Sequence, residues 1–198
     1  MPASGVWTCG AGLTSGAGPA FFRLHIIAGA GATSNPAKIV GSPLSGATRF
    51  EGGDIPNMLV LDNCDGIELR NITFTGTTAG AVLAVNSNGV KAVNCVFIGA
   101  GAQAVVFQAC EAPDIEGCLF SDHDAGVSFL QCVRPAVRGS AFADNVVNVL
   151  SDNSPFMEMT NTLLYSSEEG SMAPLVSTHL RVDGDGDASI RYNTFYGG

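Results

Sequence analysis

"LFSDHDAG", residues 119–126, sets Asp122, His123 and Asp124 side by side between an apolar run and a glycine, and "AFADN", residues 141–145, supplies Asp144 with Asn145 behind it. Two carboxylates brought close repel, so one keeps a proton while the other is free to take one. That division is what acid/base cleavage of a glycoside needs, with about 5–5.5 Å between carboxyls suiting retention and a wider gap inversion. On this reading Asp122 and Asp144 are acid and base or nucleophile, and His123 orients substrate. The competing reading comes first: Asp, Asn and Gly end strands because they satisfy and bend local backbone. The cluster is then a polar turn with His123 exposed.

A second cluster, "VDGDGDAS", alternates Asp183, Asp185 and Asp187 with glycines that let a loop fold carboxylates around one centre. Hard oxygen donors at that spacing suit Ca²⁺. A calcium loop of the helix–loop–helix type needs Gly after the third Asp and Glu at its twelfth position, where this chain has Ala188 and Thr194. The expectation is weak Ca²⁺ binding at most, with an acidic hairpin or insertion loop as the alternative, and no other cofactor. His25 in "RLHIIAG" and His179 in "STHLRV" lie near no acidic partner in sequence and read as strand residues. No Ser-His-Asp order, phosphate-binding glycine loop or nucleotide fingerprint is present.

Whatever positions these clusters must be built from this composition. The chain has 198 residues, 46% of them hydrophobic and 14% charged, enough apolar surface for a substantial core. Its 25 glycines and its Val, Ile, Phe, Asn and Ser favour short strands joined by tight turns. A net charge of −9 with only nine Lys and Arg leaves no basic surface for phosphates, which argues against nucleic acid. No apolar run nears the roughly 20 residues that span a bilayer. The first 20 residues lack the basic start and apolar centre of a signal peptide.

The chain is periodic. Phe74, Phe97, Phe120, Phe142 and Leu164 recur at spacings of 23, 23, 22 and 22. Two columns run in phase: Leu69, Ala92, Ile115, Val137 and Met159, and Leu59, Val82, Val105, Val127 and Val149. The segments are short, β-rich and broken by Gly, Asn, Asp or Pro, which excludes a helical repeat. Coils of about 22 residues, stacked about 4.8 Å apart, make one turn each of an all-β parallel solenoid. Six to eight such coils are expected.

"NCDGIELRNITFTG", "NSNGVKAVNCVFIG" and "CEAPDIEGCLFSD" carry a resemblance to the right-handed parallel β-helix, or pectin-lyase-like, superfamily, over roughly residues 22–198. Residues 1–21 read as an N-terminal arm or cap, and 22–198 as one β-helix domain, potentially part of a longer solenoid whose open end would favour self-association. The resemblance implies polysaccharide as a ligand and an extracellular setting, but its members include lyases, hydrolases, epimerases, adhesins and phage tail proteins, so fold does not settle function. "RPAVR", with Arg134, Pro135 and Arg138, is similar to the arginine-bearing motif of pectate lyases, one residue short and without matching calcium ligands. From Leu164 to Phe195 the period lengthens to 31, which places insertions at "EEGSMAP" and "VDGDGDA".

The repeat also gives the cysteines a meaning. Cys64, Cys110 and Cys132 share a column with Ser87 and Ser154, and Cys95 and Cys118 share one with Ser140 and Thr162. Stacked Cβ atoms about 4.8 Å apart lie beyond disulfide reach, so free buried thiols are expected. Glu68, Lys91, Asp114 and Glu158 form one outward column and Arg70, Glu116, Arg138 and Arg191 the next, a charge ladder that sets register or, alternatively, a saccharide-binding face. Two functions follow: a scaffold for glycan or partner binding, adhesion or assembly, and alternatively a polysaccharide hydrolase or lyase using the acidic turns.

Overall fold

A strand can bury alternate side chains only against something, and in this chain each strand is covered by the other two faces of its own coil. The computed structural model describes residues 6–8, 24–27, 31–32, 35–43, 48–53, 57–77, 80–99, 103–166, 178–184 and 186–197. Among them are strands and turns but no helix, and hence none long and apolar enough to cross a membrane.

Three parallel sheets run the length of the solenoid. The first face stacks Leu24–Ile27, Leu59–Asp62, Gly80–Val85, Gln103–Gln108, Ala125–Leu130, Val147–Asp152 and Thr178–Asp183. The second begins with Val6–Thr8 and Asn35–Val40 and continues through Ile67–Arg70, Lys91–Val93, Asp114–Glu116, Ala136–Arg138 and Met157–Thr160 to Ala188–Arg191. The third stacks Arg49–Gly53, Thr73–Thr77, Val96–Ile98, Leu119–Ser121, Ala141–Ala143, Leu163–Tyr165 and Thr194–Tyr196. Five turns are regular, with less regular coils at either end bringing the first and third faces to seven strands each. Val6–Thr8, from the segment expected to be an arm, pairs with Lys38–Val40 and so adds a strand to the second face.

The register is the one the phenylalanines announce. Phe50, Phe74, Phe97, Phe120, Phe142, Leu164 and Phe195 are consecutive partners. From Phe74 to Phe142 the rings stack with centroids 4.9, 4.8 and 4.6 Å apart and planes within 5° of parallel. Isolated aromatic pairs prefer an offset or an edge, so here the strand spacing imposes the geometry. All of these stacked rings are fully buried, together with Leu59, Val82, Val105, Val127 and Val149 on the first face and Leu69, Ala92, Ile115, Val137 and Met159 on the second.

Corners break the ladder, and the sequence repairs each break. From Arg70 onward only two residues intervene between the second and third faces, and the first is left-handed in each of these coils: Asn71, Asn94, Gly117, Gly139, Asn161 and Tyr192, with φ between 51° and 62°. Asn and Gly are the residues that tolerate this region. The second residue meets the next coil by a side chain: the Cys95 amide donates to Cys118 Sγ (3.4 Å), the Cys118 amide to Ser140 Oγ (3.1 Å) and the Thr162 amide to Asn193 Oδ1 (2.9 Å). The corner after the first face does the same, from the Cys64 amide to Ser87 Oγ and from the Cys132 amide to Ser154 Oγ. Cys64, Cys95, Cys110, Cys118 and Cys132 are buried thiols, none in a disulfide. Burial pushes the Cys118 thiol well up, and hydrogen bonding and charge from Cys95 add to it.

One expectation is corrected. Asp183 and Ala188 pair with Asp152 and Met157, so residues 184–187 form a corner of the same length as 153–156 and "VDGDGDA" is not an insertion. The extra length lies earlier, where 166–177 occupy the place that 144–146 hold in the preceding coil.

The second face carries the charges in the anticipated columns, and they pair between coils and, for Arg70 with Glu68, within one strand. Lys38 and Arg70 reach Glu68 (3.5 and 2.6 Å), Lys91 and Arg138 reach Asp114 (3.5 and 2.6 Å), and Arg138 also reaches Glu158 (2.7 Å). Burial opposes the charge on Glu68, but Arg70 and then Lys38 outweigh it and hold the carboxyl below its ordinary range.

Two outcomes test this account. Phe120→Ala, which empties one ring from the stack, is expected to lower stability by about 3–5 kcal/mol in chemical unfolding. A depressed carboxylate contributes stability above its unfolded pKa and loses it as pH falls through the lower folded value. Unfolding midpoints of the wild type should therefore fall more steeply below about pH 4.3 than those of Glu68→Gln.

Candidate functional site

The corner after the third face holds the acidic cluster. Asp122 and Asp144 follow Phe120 and Phe142 by two residues in register-paired strands, so they sit one above the other on adjacent coils. The Asp122 amide donates to the Ala143 carbonyl (3.4 Å) and the Asp144 amide to the Tyr165 carbonyl (3.1 Å). Both are left-handed, at φ 62° and 55°, as strand-ending turn residues are. Asp122 and Asp124 are exposed and Asp144 is half-buried. Glu168, which the repeat aligns with Asp124, lies outside the described residues.

His123 stands over Asn145 as the repeat requires, its amide donating to Asn145 Oδ1 at 3.0 Å. It is not the exposed histidine of a simple turn, being only 3% accessible. Its ring occupies the space beside Gly99: a Cβ on that glycine would fall 2.1 Å from His123 Cε1 and 2.4 Å from Nδ1. A substrate-orienting role requires the ring to leave this seat.

Beneath His123 runs a polar relay that periodicity alone does not announce. The fixed backbone groups set its direction: the His123 amide occupies Asn145 Oδ1, and Asn145 Nδ2 donates to the Phe120 carbonyl (3.2 Å) and to Asn148 Oδ1 (2.9 Å). Asn148 must then offer Nδ2 to His179 Nδ1 (2.9 Å), which accepts, so the ring proton is on Nε2 and is donated to the Gly197 carbonyl (2.9 Å). Asn145 and Asn148 are completely buried. The signal was a broken column: Ala81, Ala104 and Gly126 are followed in register by Asn148 and His179. His25, the other histidine, lies in the strand Leu24–Ile27.

The remaining candidates are dispersed. Asp183 lies in the last strand of the first face and is bound by Arg181 at 2.5 Å, Asp187 is exposed at the following corner, and Asp185 lies outside the described residues. Among the described residues no three His, Cys, Asp or Glu side chains converge as metal ligands. Arg134 pairs with Glu111. Burial works against the charge on Arg138, but Glu158 and Asp114 keep its pKa raised, which is opposite to the need of a general base.

The three faces differ in their outward chemistry. The second is a charged ladder. On the third, the strands from Thr73 to Tyr196 contain no charged residue, and Ile98, Leu119, Leu163 and Tyr196 are exposed along them. Tyr165 and Tyr196 stack in the same outward column, 5.5 Å apart.

A right-handed parallel solenoid with short corners defines the class. Residues 57–198 match the right-handed β-helix region family, and the chain belongs to it. No curated protein and no solved structure matches the chain.

Gly99→Ala should expel the His123 ring and lower the thermal midpoint, while Gly76→Ala, where a Cβ meets nothing within 4 Å, leaves that ring's NMR resonances in place. For the relay, ¹⁵N shifts should report His179 as the Nε2–H tautomer, and Asn148→Ala should cost about 1–3 kcal/mol by stranding buried polar groups.

Proposed function

We propose that the protein is a β-helical binding scaffold, without catalysis of its own, that presents the third face to a glycan or to another macromolecule. One observation carries this reading: an uncharged, partly apolar outward surface continues through six coils of a chain whose net charge is −9. A contiguous exposed apolar strip is uncommon on a surface with no interaction to make. Along the edge shared with the second face, the two-residue corners from Asn71 onward supply no loop to wall in a reacting group or to exclude water, which catalysis by fixed dipoles and shifted proton affinities requires. End-to-end self-association belongs to the same reading, supported by exposed Tyr192, Phe195 and Tyr196 in the last described coil.

A second reading keeps Asp122 and Asp144 as the carboxylates of a polysaccharide-cleaving enzyme, and their stacking on adjacent coils favours it. Its substrate-orienting group, His123, is seated inside the corner. Calcium held weakly by Asp183, Asp185 and Asp187 remains a proposal that calorimetric titration tests.

Affinity electrophoresis in gels containing neutral or acidic polysaccharides separates the readings, with parallel assays for new reducing ends and unsaturated products. The expected result is retardation without turnover, abolished by Ile98→Glu combined with Leu163→Glu. Turnover that disappears in Asp122→Asn or Asp144→Asn would establish the enzyme instead.

A further inference from the structure

At the edge of the third face, where it meets the second, a groove of about 320 Å³ opens. Its wall is made by a close approach. A Cβ on Gly41 would lie 2.1 Å from the Asn71 carbonyl oxygen and 2.8 Å from Thr48 Cβ, so glycine alone lets the chain pass this corner. The Gly41 amide is fixed to the Arg70 carbonyl and the Ser42 amide to Thr48 Oγ1, both at 2.8 Å. Ser42 and Pro43 thereby line one side.

The opposite side is a rail of left-handed corner residues. Asn71 and Asn94 supply primary amides on successive coils, and Gly117 ends the rail, with Asn94 Oδ1 leaning over it, 2.6 Å from where a Cβ would stand. Thr73, Val96 and Leu119, successive partners in the third face's first outward column, complete the described lining together with Cys95.

This lining selects a ligand by exclusion. No described residue in it is charged, although the chain carries 18 acidic and nine basic residues, so an ion would lose hydration without gaining a counter-charge. A purely apolar ligand would cover two amides without satisfying them. A peptide added as a strand needs an open sheet edge, and the strands Thr73–Thr77, Val96–Ile98 and Leu119–Ser121 are each paired on both sides. The volume falls at the lower limit of small-molecule sites, about 300–1,000 Å³, which excludes a folded domain. What fits is a neutral ring with one apolar face for Val96 and Leu119 and a rim of hydroxyls for the amides.

We propose that this groove binds a neutral hexose unit of a glycan, with Asn71 and Asn94 bonding its hydroxyls and Leu119 packing against its ring. The inference rests on the binding-scaffold reading and assigns it a subsite.

Calorimetry and ¹⁵N chemical-shift mapping of the full chain with cellotetraose and mannotetraose, against tetragalacturonate as the anionic probe, test it. A neutral tetramer is expected to move the Asn71 and Asn94 side-chain amide resonances. Leu119→Glu should weaken binding by about tenfold or more through a desolvated charge, and Asn94→Gly, which keeps a residue suited to positive φ, should weaken it several-fold. Val182→Glu, at an exposed position on the first face, should leave affinity unchanged and shows that a glutamate on an exposed strand is tolerated. Loss in Leu163→Glu equal to that in Leu119→Glu would spread the ligand over the whole third face, overturning the groove while the scaffold reading stands. Tighter binding of tetragalacturonate would overturn the ligand class. Absence of binding by both neutral tetramers would overturn the inference, and the gel experiment on whole polysaccharides then decides the scaffold reading separately.

Discussion

In-register parallel pairing between coils is the constraint on which the rest of this molecule depends. A parallel ladder about 4.8 Å per step places each residue directly against its counterpart one coil away, so every position must tolerate a copy of its own environment above and below. Stacked phenylalanines satisfy this because ring thickness leaves room for contact at 4.6–4.9 Å. Charges satisfy it only by alternation, and the second face alternates: Lys38, Glu68, Lys91 and Asp114 are consecutive partners. The break at Ala136 removes a like-charge neighbour from Asp114 and lets Arg138 bridge diagonally to Asp114 and Glu158.

The same constraint governs the corners, where backbone direction changes and some amides face away from an ideal partner. Buried amides left unpaired are costly. Here a small side chain of the next coil accepts from them, which explains why cysteine, serine, threonine and asparagine interchange in these columns. Thiol, hydroxyl and amide are alternative acceptors of similar reach. The cysteines are therefore part of the scaffold's hydrogen bonding, and their clustering in sequence reflects the repeat.

Chemistry is partitioned among the faces as a result. The second face pairs Lys38, Glu68, Arg70, Lys91, Asp114, Arg138 and Glu158 among themselves. The acidic corner presents carboxylates on adjacent coils but withdraws its histidine into the space beside Gly99. The third face, from Thr73 to Tyr196, carries no charged residue in its strands and leaves Ile98, Leu119, Leu163 and Tyr196 exposed. A rigid surface of this kind contributes to binding by losing little entropy when a ligand docks, which suits recognition of an extended, repetitive partner.

Much of this was legible in the sequence, because in a solenoid the spacing along the chain is also the arrangement in space. The Phe74-to-Leu164 period alone determined the fold, the buried columns, the fate of the cysteines and the stacking of Asp122 on Asp144. Residues 184–187 were misjudged as part of an insertion, since a lengthened period reveals that residues were added but not where. Tertiary structure decided what each turn residue does with its side chain. His123 turns inward because Gly99, one coil earlier, leaves a vacancy the size of a side chain, and Asn145, Asn148 and His179 join because a small-residue column gives way to polar ones deep in the core. The groove exists because Gly41 lets the preceding coil pass close against the Asn71 carbonyl. Those outcomes depend on volume left empty by neighbours in other coils, a property of packing that no spacing along the chain records.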